Sequence, residues 1–305
     1  MTNEGLNRPK GFGEILDAAF TLCKQHFAKF FLIVLVLLGP IYLVQSLILL
    51  LSGTRFFRET VTGENLLDQT LNSFDATVNT TLSEDLATIG TGLLLLIFVP
   101  VAQAAILLAV SRLKHDEMFT VGHVVKQAFA KFWRILGASL IFELLLFAMI
   151  FIPSIAIMII SIISMFADPL SGIVMMVILL LGVGLTSAYF LSRWIFYLGS
   201  AVFDNDIPGL GRSWHLTRRN SWKVLGIFIV LWLIFFAVSL AFESIFIALL
   251  GNSVLYSIIL NLVTLLTTMI FMVGYAVIYF DLKIRQDGSD LQDMIDDYQN
   301  TGNVK

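Results

Sequence analysis

Six long apolar runs interrupt this sequence, and each is too long to serve as the core helix of a water-soluble domain. They cover residues 28–51, 88–111, 133–163, 172–198, 223–250 and 255–280. A helix needs roughly 20 apolar residues to cross the hydrocarbon of a bilayer. In hydrocarbon every backbone polar group must find its partner within the protein, which leaves helices and closed barrels as the spanning structures. A barrel alternates lipid-facing and lumen-facing residues along each strand, and these runs show no such alternation. The expected fold is therefore an all-α integral membrane bundle with six transmembrane helices. Composition agrees, since only 13% of the 305 residues are charged, against about 25% in soluble domains. Pro40, Pro100 and Pro153 lie inside the first three runs and are expected to interrupt them.

Lysine and arginine set the orientation. They crowd the N-terminal segment (Arg8, Lys10, Lys24, Lys29) and the link between runs two and three (Arg112, Lys114, Lys126, Lys131, Arg134). They recur between runs four and five (Arg212, Arg218, Arg219, Lys223) and after run six (Lys283, Arg285, Lys305). The other side carries only Arg55 and Arg58. Both termini are thus expected in the cytoplasm, with residues 283–305 as a cytoplasmic tail. Residues 52–87 form the one sizeable extracellular loop, acidic through Glu59, Glu64, Asp68, Asp75, Glu84 and Asp85. No cleavable signal peptide is expected, because no small-residue cleavage site closely follows the first run.

The sequence also repeats itself. Gln25–Ile33 (QHFAKFFLI) resembles Gln127–Ile135 (QAFAKFWRI), and Phe132–Gly137 (FWRILG) resembles Ser221–Gly226 (SWKVLG). Each match falls where a basic segment leads into an odd-numbered run. The expected unit is one amphipathic interfacial helix followed by a helical hairpin, used three times: about 11–111, 119–198 and 208–282, within a single membrane domain covering 1–305. Every unit has an even number of spans, so all copies share one orientation, unlike inverted repeats. In 12–27 an apolar stripe runs through Phe12, Ile15, Leu16, Ala19, Phe20, Cys23 and Phe27, and in 119–133 through Val121, Val124, Val125, Ala128, Phe129 and Phe132. Such helices either lie in the headgroup plane or pack against the ends of the spans.

Three stretches together resemble the bacterial membrane-domain family named after glycerophosphoryl diester phosphodiesterases. They are Arg8–Asp17 (RPKGFGEILD), Gly211–Gly226 (GRSWHLTRRNSWKVLG) and Tyr279–Leu291 (YFDLKIRQDGSDL). The resemblance implies a bacterial plasma-membrane protein. In some members this region precedes a catalytic barrel, but only residues 281–305 follow the last run here, so the resemblance is not expected to carry an activity.

Ionisable groups within the spans are functional candidates by default. Glu143 lies about 15 Å into run three at about 1.5 Å per residue, and Arg193 lies near the cytoplasmic end of run four. The two can pair across the hairpin. Alternatively Arg193 snorkels to the headgroups while Glu143 is protonated or finds a polar neighbour. Glu243 sits near the outer interface and is expected to reach water. Asn261, Thr264 and Thr268 share one face of run six, and run two offers Gln103; these either hydrogen-bond between helices or line a polar path. Arg212, Arg218, Arg219, Lys283 and Arg285 gather at the inner surface, where they could hold anionic headgroups or simply obey the positive-inside bias. Trp133, Trp194, Trp214 and Trp222 are expected at the same interface.

Enzyme signatures are missing. His26, His115, His123 and His215 have no metal-ligand spacing, and no phosphate loop or nucleophile elbow occurs. One cysteine, Cys23, allows no intramolecular disulfide. No metal, cofactor or nucleic-acid partner is expected, and the chain is expected not to be an enzyme. The expected partners are membrane lipids, with a membrane-protein partner also open. The expected role is binding or handling lipid or other hydrophobic molecules at the inner leaflet. The alternatives are a scaffold or immunity protein against membrane-active peptides, and an accessory subunit of a membrane enzyme or transporter.

Overall fold

The computed structural model describes residues 9–57, 82–204, 208–218, 220–251 and 253–302. Every regular element among them is helical. In order they are α1 (Phe12–Gln25), α2 (Phe27–Leu51), α3 (Leu82–Lys114), α4 (Val121–Ala130) and α5 (Phe132–Ala167), then α6 (Pro169–Trp194), α7 (Tyr197–Phe203), α8 (Leu210–Thr217), α9 (Ser221–Leu250) and α10 (Val254–Gly302). Six segments are long and apolar enough to cross a bilayer: Phe27–Leu51, Asp85–Lys114, Phe132–Ser164, Leu170–Phe203, Ser221–Leu250 and Val254–Gln286. The chain is an all-α, multi-pass membrane protein.

Three expectations need correction. First, Pro40, Pro100 and Pro153 do not interrupt their helices; α2, α3 and α5 run through them. Proline's fixed φ is helical, and a carbonyl freed in hydrocarbon gains nothing from leaving the helix. Second, the fourth run does not end as a single helix at residue 198. It breaks at Ile195 and Phe196, and α7 takes a new start. Third, α10 does not stop near residue 280 but continues to Gly302, so the tail is helical over most of its length. The helix α3 begins at Leu82, inside the stretch expected as the acidic loop; residues 58–81 of that stretch lie outside the described residues.

Local chemistry explains the sharpest turn. Asp168 is the only residue between α5 and α6, with extended backbone (φ −156°, ψ 121°) as a residue before proline prefers. Its carboxylate accepts the Ser171 backbone N–H at 3.0 Å, capping α6, and Pro169 fills the first helical turn, where no N–H is needed.

Two compact units divide the chain. One comprises residues 13–130 and 229–277, and the other 7–12, 131–228 and 278–305. In the first, α2 packs along α3. Phe30, Ile33, Val34 and Leu38 of α2 are buried, as is nearly the whole of 101–110 on α3, which contains Ala102, Ala104, Ala105 and Ala109. Lipid tails are as apolar as leucine, so helices in a bilayer associate through close packing and hydrogen bonds, and small residues allow that approach. Gln103 supplies the bond: its Nε2 donates to the Met272 carbonyl on α10 at 3.1 Å, fully buried. The helix α1 turns Ile15, Ala18, Ala19, Leu22 and Cys23 inward and leaves Phe12 and Phe20 exposed, as is Phe27 at the start of α2. The expected stripe is thus split between a packed half and an outward aromatic half.

Burial pushes the Cys23 thiol up to about 12. Only the thiolate reacts with maleimide. Folded protein is therefore expected to remain essentially unlabelled at neutral pH and to label fully once denatured. Mass spectrometry of both samples checks this, and rapid labelling of the folded protein would show that α1 is not packed as described.

In the second unit, α5 and α6 form a hairpin beside α7. Tyr279 of α10 stacks on Phe203 and meets Phe196, which also contacts Phe228 of α9. Gly209, just before α8, has φ +76°, and a Cβ there would run into the Tyr197 carbonyl oxygen. Only glycine makes that turn without strain.

Candidate functional site

At the basic end of the second unit, one buried carboxylate organises three parts of the chain. Asp281 on α10 is 2% exposed. Its Oδ1 accepts the backbone N–H of Lys10 at 2.6 Å. Its Oδ2 accepts Arg285 Nε at 2.8 Å and lies 3.6 Å from Lys223 Nζ. The same two cations close the ring from the other side, for Lys223 Nζ and Arg285 Nη2 each donate to the Lys10 carbonyl at 2.5 Å. The peptide of Lys10 is thus held at its N–H by an anion and at its C=O by two cations. Charge-assisted bonds of this kind are about twice as strong as neutral ones. Three stretches far apart in sequence meet here, through Lys10, through Lys223, and through Asp281 with Arg285.

A second carboxylate lies just after α7. Asp204 pairs with Arg212 Nε at 3.3 Å and with Lys283 Nζ at 3.4 Å. The last carbonyls of α7 are taken by α5 and the residue before it. Lys131 Nζ donates to Val202 O at 2.6 Å, and the Arg134 guanidinium donates to Ala201 O. Cations at a helix C-terminus answer both its unpaired carbonyls and its dipole. Burial, and then the neighbouring Arg134 charge, hold Lys131 below the ordinary lysine value.

These contacts change the standing of the five basic candidates. Arg212, Lys283 and Arg285 are each engaged by a carboxylate. Arg218 is exposed, and Arg219 lies outside the described residues. The basic rim is therefore largely spent on internal structure, which a count of lysines and arginines could not show. Its aromatic partners are more available: Trp133 is 81% exposed and Trp222 77%. Trp194 and Trp214 instead pack with Phe190.

Within the spans, Glu143 and Arg193 do not form an ion pair. The Arg193 guanidinium lies over the Trp214 ring at 4.9 Å and the Tyr189 ring at 5.4 Å, and its Nη2 donates to the Tyr189 hydroxyl at 3.0 Å. Ser213 donates to the Arg193 carbonyl at 2.7 Å, which fixes α8 against the end of α6. Glu243 is exposed at the protein surface.

On the polar face of α10, Asn261 Nδ2 donates to Gln45 Oε1 of α2 at 3.4 Å. Thr267 donates to the Val263 carbonyl of its own helix and Thr264 offers its carbonyl to Thr267; Thr268 is placed beside them. With Gln103, two of the four candidates make interhelical bonds. Gln45 was not anticipated, because an isolated glutamine in an apolar run gives no spacing signal.

Between α2 and α10, within the first unit, lies a groove of about 350 Å³. Leu35, Gly39, Pro40, Leu43, Ile258, Leu262 and Leu265 line it together with Tyr42, Ser46 and Asn261, and its surface is almost wholly apolar. Volumes near 300–1,000 Å³ are those of small-molecule sites.

No family model, curated protein or solved structure matches the chain. Among the described residues, no group of three or more His, Cys, Asp or Glu could hold a metal ion.

Proposed function

We propose that this chain binds a lipid or another hydrophobic molecule within the bacterial plasma membrane, with both termini in the cytoplasm. The observation that carries the reading is the α2–α10 groove. It is apolar along its length and lies on two membrane-spanning helices. A molecule with an aliphatic body matches that pattern. The groove residues of α2, Leu35 to Ser46, lie about 12–29 Å along a helix of about 37 Å at about 1.5 Å per residue, so the groove straddles the middle of that span. Contact with inner-leaflet headgroups rests instead on Trp133, Trp222 and Arg218, which stand exposed at the basic end.

The test is to fill the groove. Ser46→Phe, with Leu262→Trp as a second variant, is expected to reduce lipid retained by the purified protein at least several-fold, as read by native mass spectrometry after mild delipidation. Equal retention in folded variants and parent would defeat the reading.

A second reading, an accessory subunit seated against another membrane protein, is favoured by one observation. In the most apolar stretch of Leu170–Phe203 no residue is buried, against 56% in Asp85–Lys114. Affinity purification in native lipid nanodiscs that yields no stoichiometric membrane protein would remove it.

A further inference from the structure

The α5–α6 hairpin carries at one level a half-buried carboxyl and a buried guanidinium, each with polar atoms that are buried and unsatisfied. Glu143 and Arg193 each stand twenty-five residues from Asp168, the one-residue turn between the two helices. A second contact sets the same register: the Tyr197 hydroxyl donates to Ser139 Oγ at 3.3 Å, and the Tyr197 ring stacks on Phe142 with centroids 4.3 Å apart. Glu143 is one turn beyond Ser139 on α5, and Arg193 is four residues before Tyr197. Ser139 and Tyr197 each stand twenty-nine residues from Asp168, so this contact confirms that Glu143 and Arg193 lie at the same level of the hairpin. Yet Glu143 Oε2 is buried without a hydrogen-bond partner, and so are Arg193 Nε and Nη1. Arg193 is 9% exposed.

A guanidinium does not give up its proton in a protein. An aromatic face offsets only part of the desolvation of a buried cation. A carboxyl can become neutral, and is the one member of the pair able to do so. Of the other titratable groups on the packed helices, Tyr197 of α7 lies within electrostatic range of the Glu143 carboxyl, while Tyr189 of α6 bonds Arg193. No other carboxylate occurs on α5, α6 or α7.

From this geometry we propose that Glu143 and Arg193 form an intramembrane proton-binding site. With Glu143 protonated, Arg193 rests on Trp214 and Tyr189, as in this structure. When Glu143 releases its proton to water, the carboxylate draws Arg193 off Trp214 into a direct ion pair. One O–H bond breaks, no other covalent bond changes, and no co-reactant is needed. The shift moves a cation away from α8, the element that Ser213 ties to the end of α6. This site is independent of the α2–α10 groove, and its test does not depend on lipid binding.

Trp214 reports the event directly. A protein keeping Trp214 as sole tryptophan (Trp133→Phe, Trp194→Phe, Trp222→Phe, Trp232→Phe) is placed in nanodiscs and its emission followed from about pH 4 to 9, the range that covers ordinary and raised carboxyl values. One sigmoidal change is expected. Glu143→Gln should hold emission at the low-pH level throughout, and Glu143→Asp should restore a titration. Flat emission in the Glu143 protein, or an unaltered titration in Glu143→Gln, overturns the proposal. A measurement on the unsubstituted protein covers a variant that does not fold. Dicyclohexylcarbodiimide, which attacks protonated carboxyls in apolar surroundings, should label Glu143 at low pH, with labelling falling about tenfold per pH unit above the midpoint. Absence of low-pH labelling at Glu143 overturns the proposal equally.

Discussion

Asp281→Ala is expected to abolish most of the stably folded protein. The carboxylate is almost wholly buried and faces a backbone N–H and two cations. Its removal takes away the anion that lies against both Lys223 and Arg285 and the oxygen that accepts the Lys10 N–H. Breaking a buried pair by deleting one partner costs about 3–5 kcal/mol, because the remaining charge stays desolvated. That is a large part of the net stability of a typical domain. Asp281→Asn keeps an acceptor for Lys10 but not the charge, and should lose less. Both are read as melting temperature and monodisperse yield in one detergent, and Asp281→Ala melting with the parent would contradict the geometry. High salt should rescue neither variant and barely affect the parent, since buried pairs are screened far less than exposed ones.

Gly199→Val should be as damaging, for a steric reason. A Cβ on Gly199 would lie 2.6 and 2.7 Å from Cδ2 and Cζ of Tyr279, and closer still to Cε2. Carbon atoms attract best at about 3.5–4.0 Å. The ring cannot withdraw, because it is 1% exposed and fixed by Phe203 and Phe196. Overpacking commonly costs about 1–3 kcal/mol and more where nothing can give, and α7 would have to leave α10. Tyr279→Ala in the same chain makes room for the new side chain. The double variant is expected to recover folded yield relative to Gly199→Val alone. No recovery would mean that the damage does not arise at this contact.

The two residues show what kind of information a single sequence holds. Asp281 is visible as one of several charges after the last apolar run, but nothing in the run distinguishes it from Asp287. Its role depends on Lys10 and Lys223 arriving from positions 271 and 58 residues away. Gly199 carries even less signal. It sits in a stretch that reads as the end of a span, and its necessity comes from a ring eighty residues further on. Arg212, Lys283 and Arg285 mark the same limit from the other side. Local charge made them headgroup candidates, whereas Asp204 and Asp281 hold all three. That Glu143 and Arg193 are ionisable groups on neighbouring spans was legible; their common level was not, because the runs 133–163 and 172–198 did not show that Asp168 alone separates the helices. Nor was the resting place of Arg193 on Trp214, since α8 meets the end of α6 only through folding.

Hydropathy and length by themselves determined the spans and the helical class, because hydrocarbon offers the backbone no partner outside the chain and so leaves it one local solution. That constraint acts residue by residue along the chain, and a sequence displays it openly. Tertiary structure alone decided which polar groups meet, how the basic end is neutralised, and where a groove remains between α2 and α10. Those outcomes depend on rotation of each helix about its axis and on contacts between distant turns. Close packing and a few hydrogen bonds set them, and neither leaves a period in the sequence.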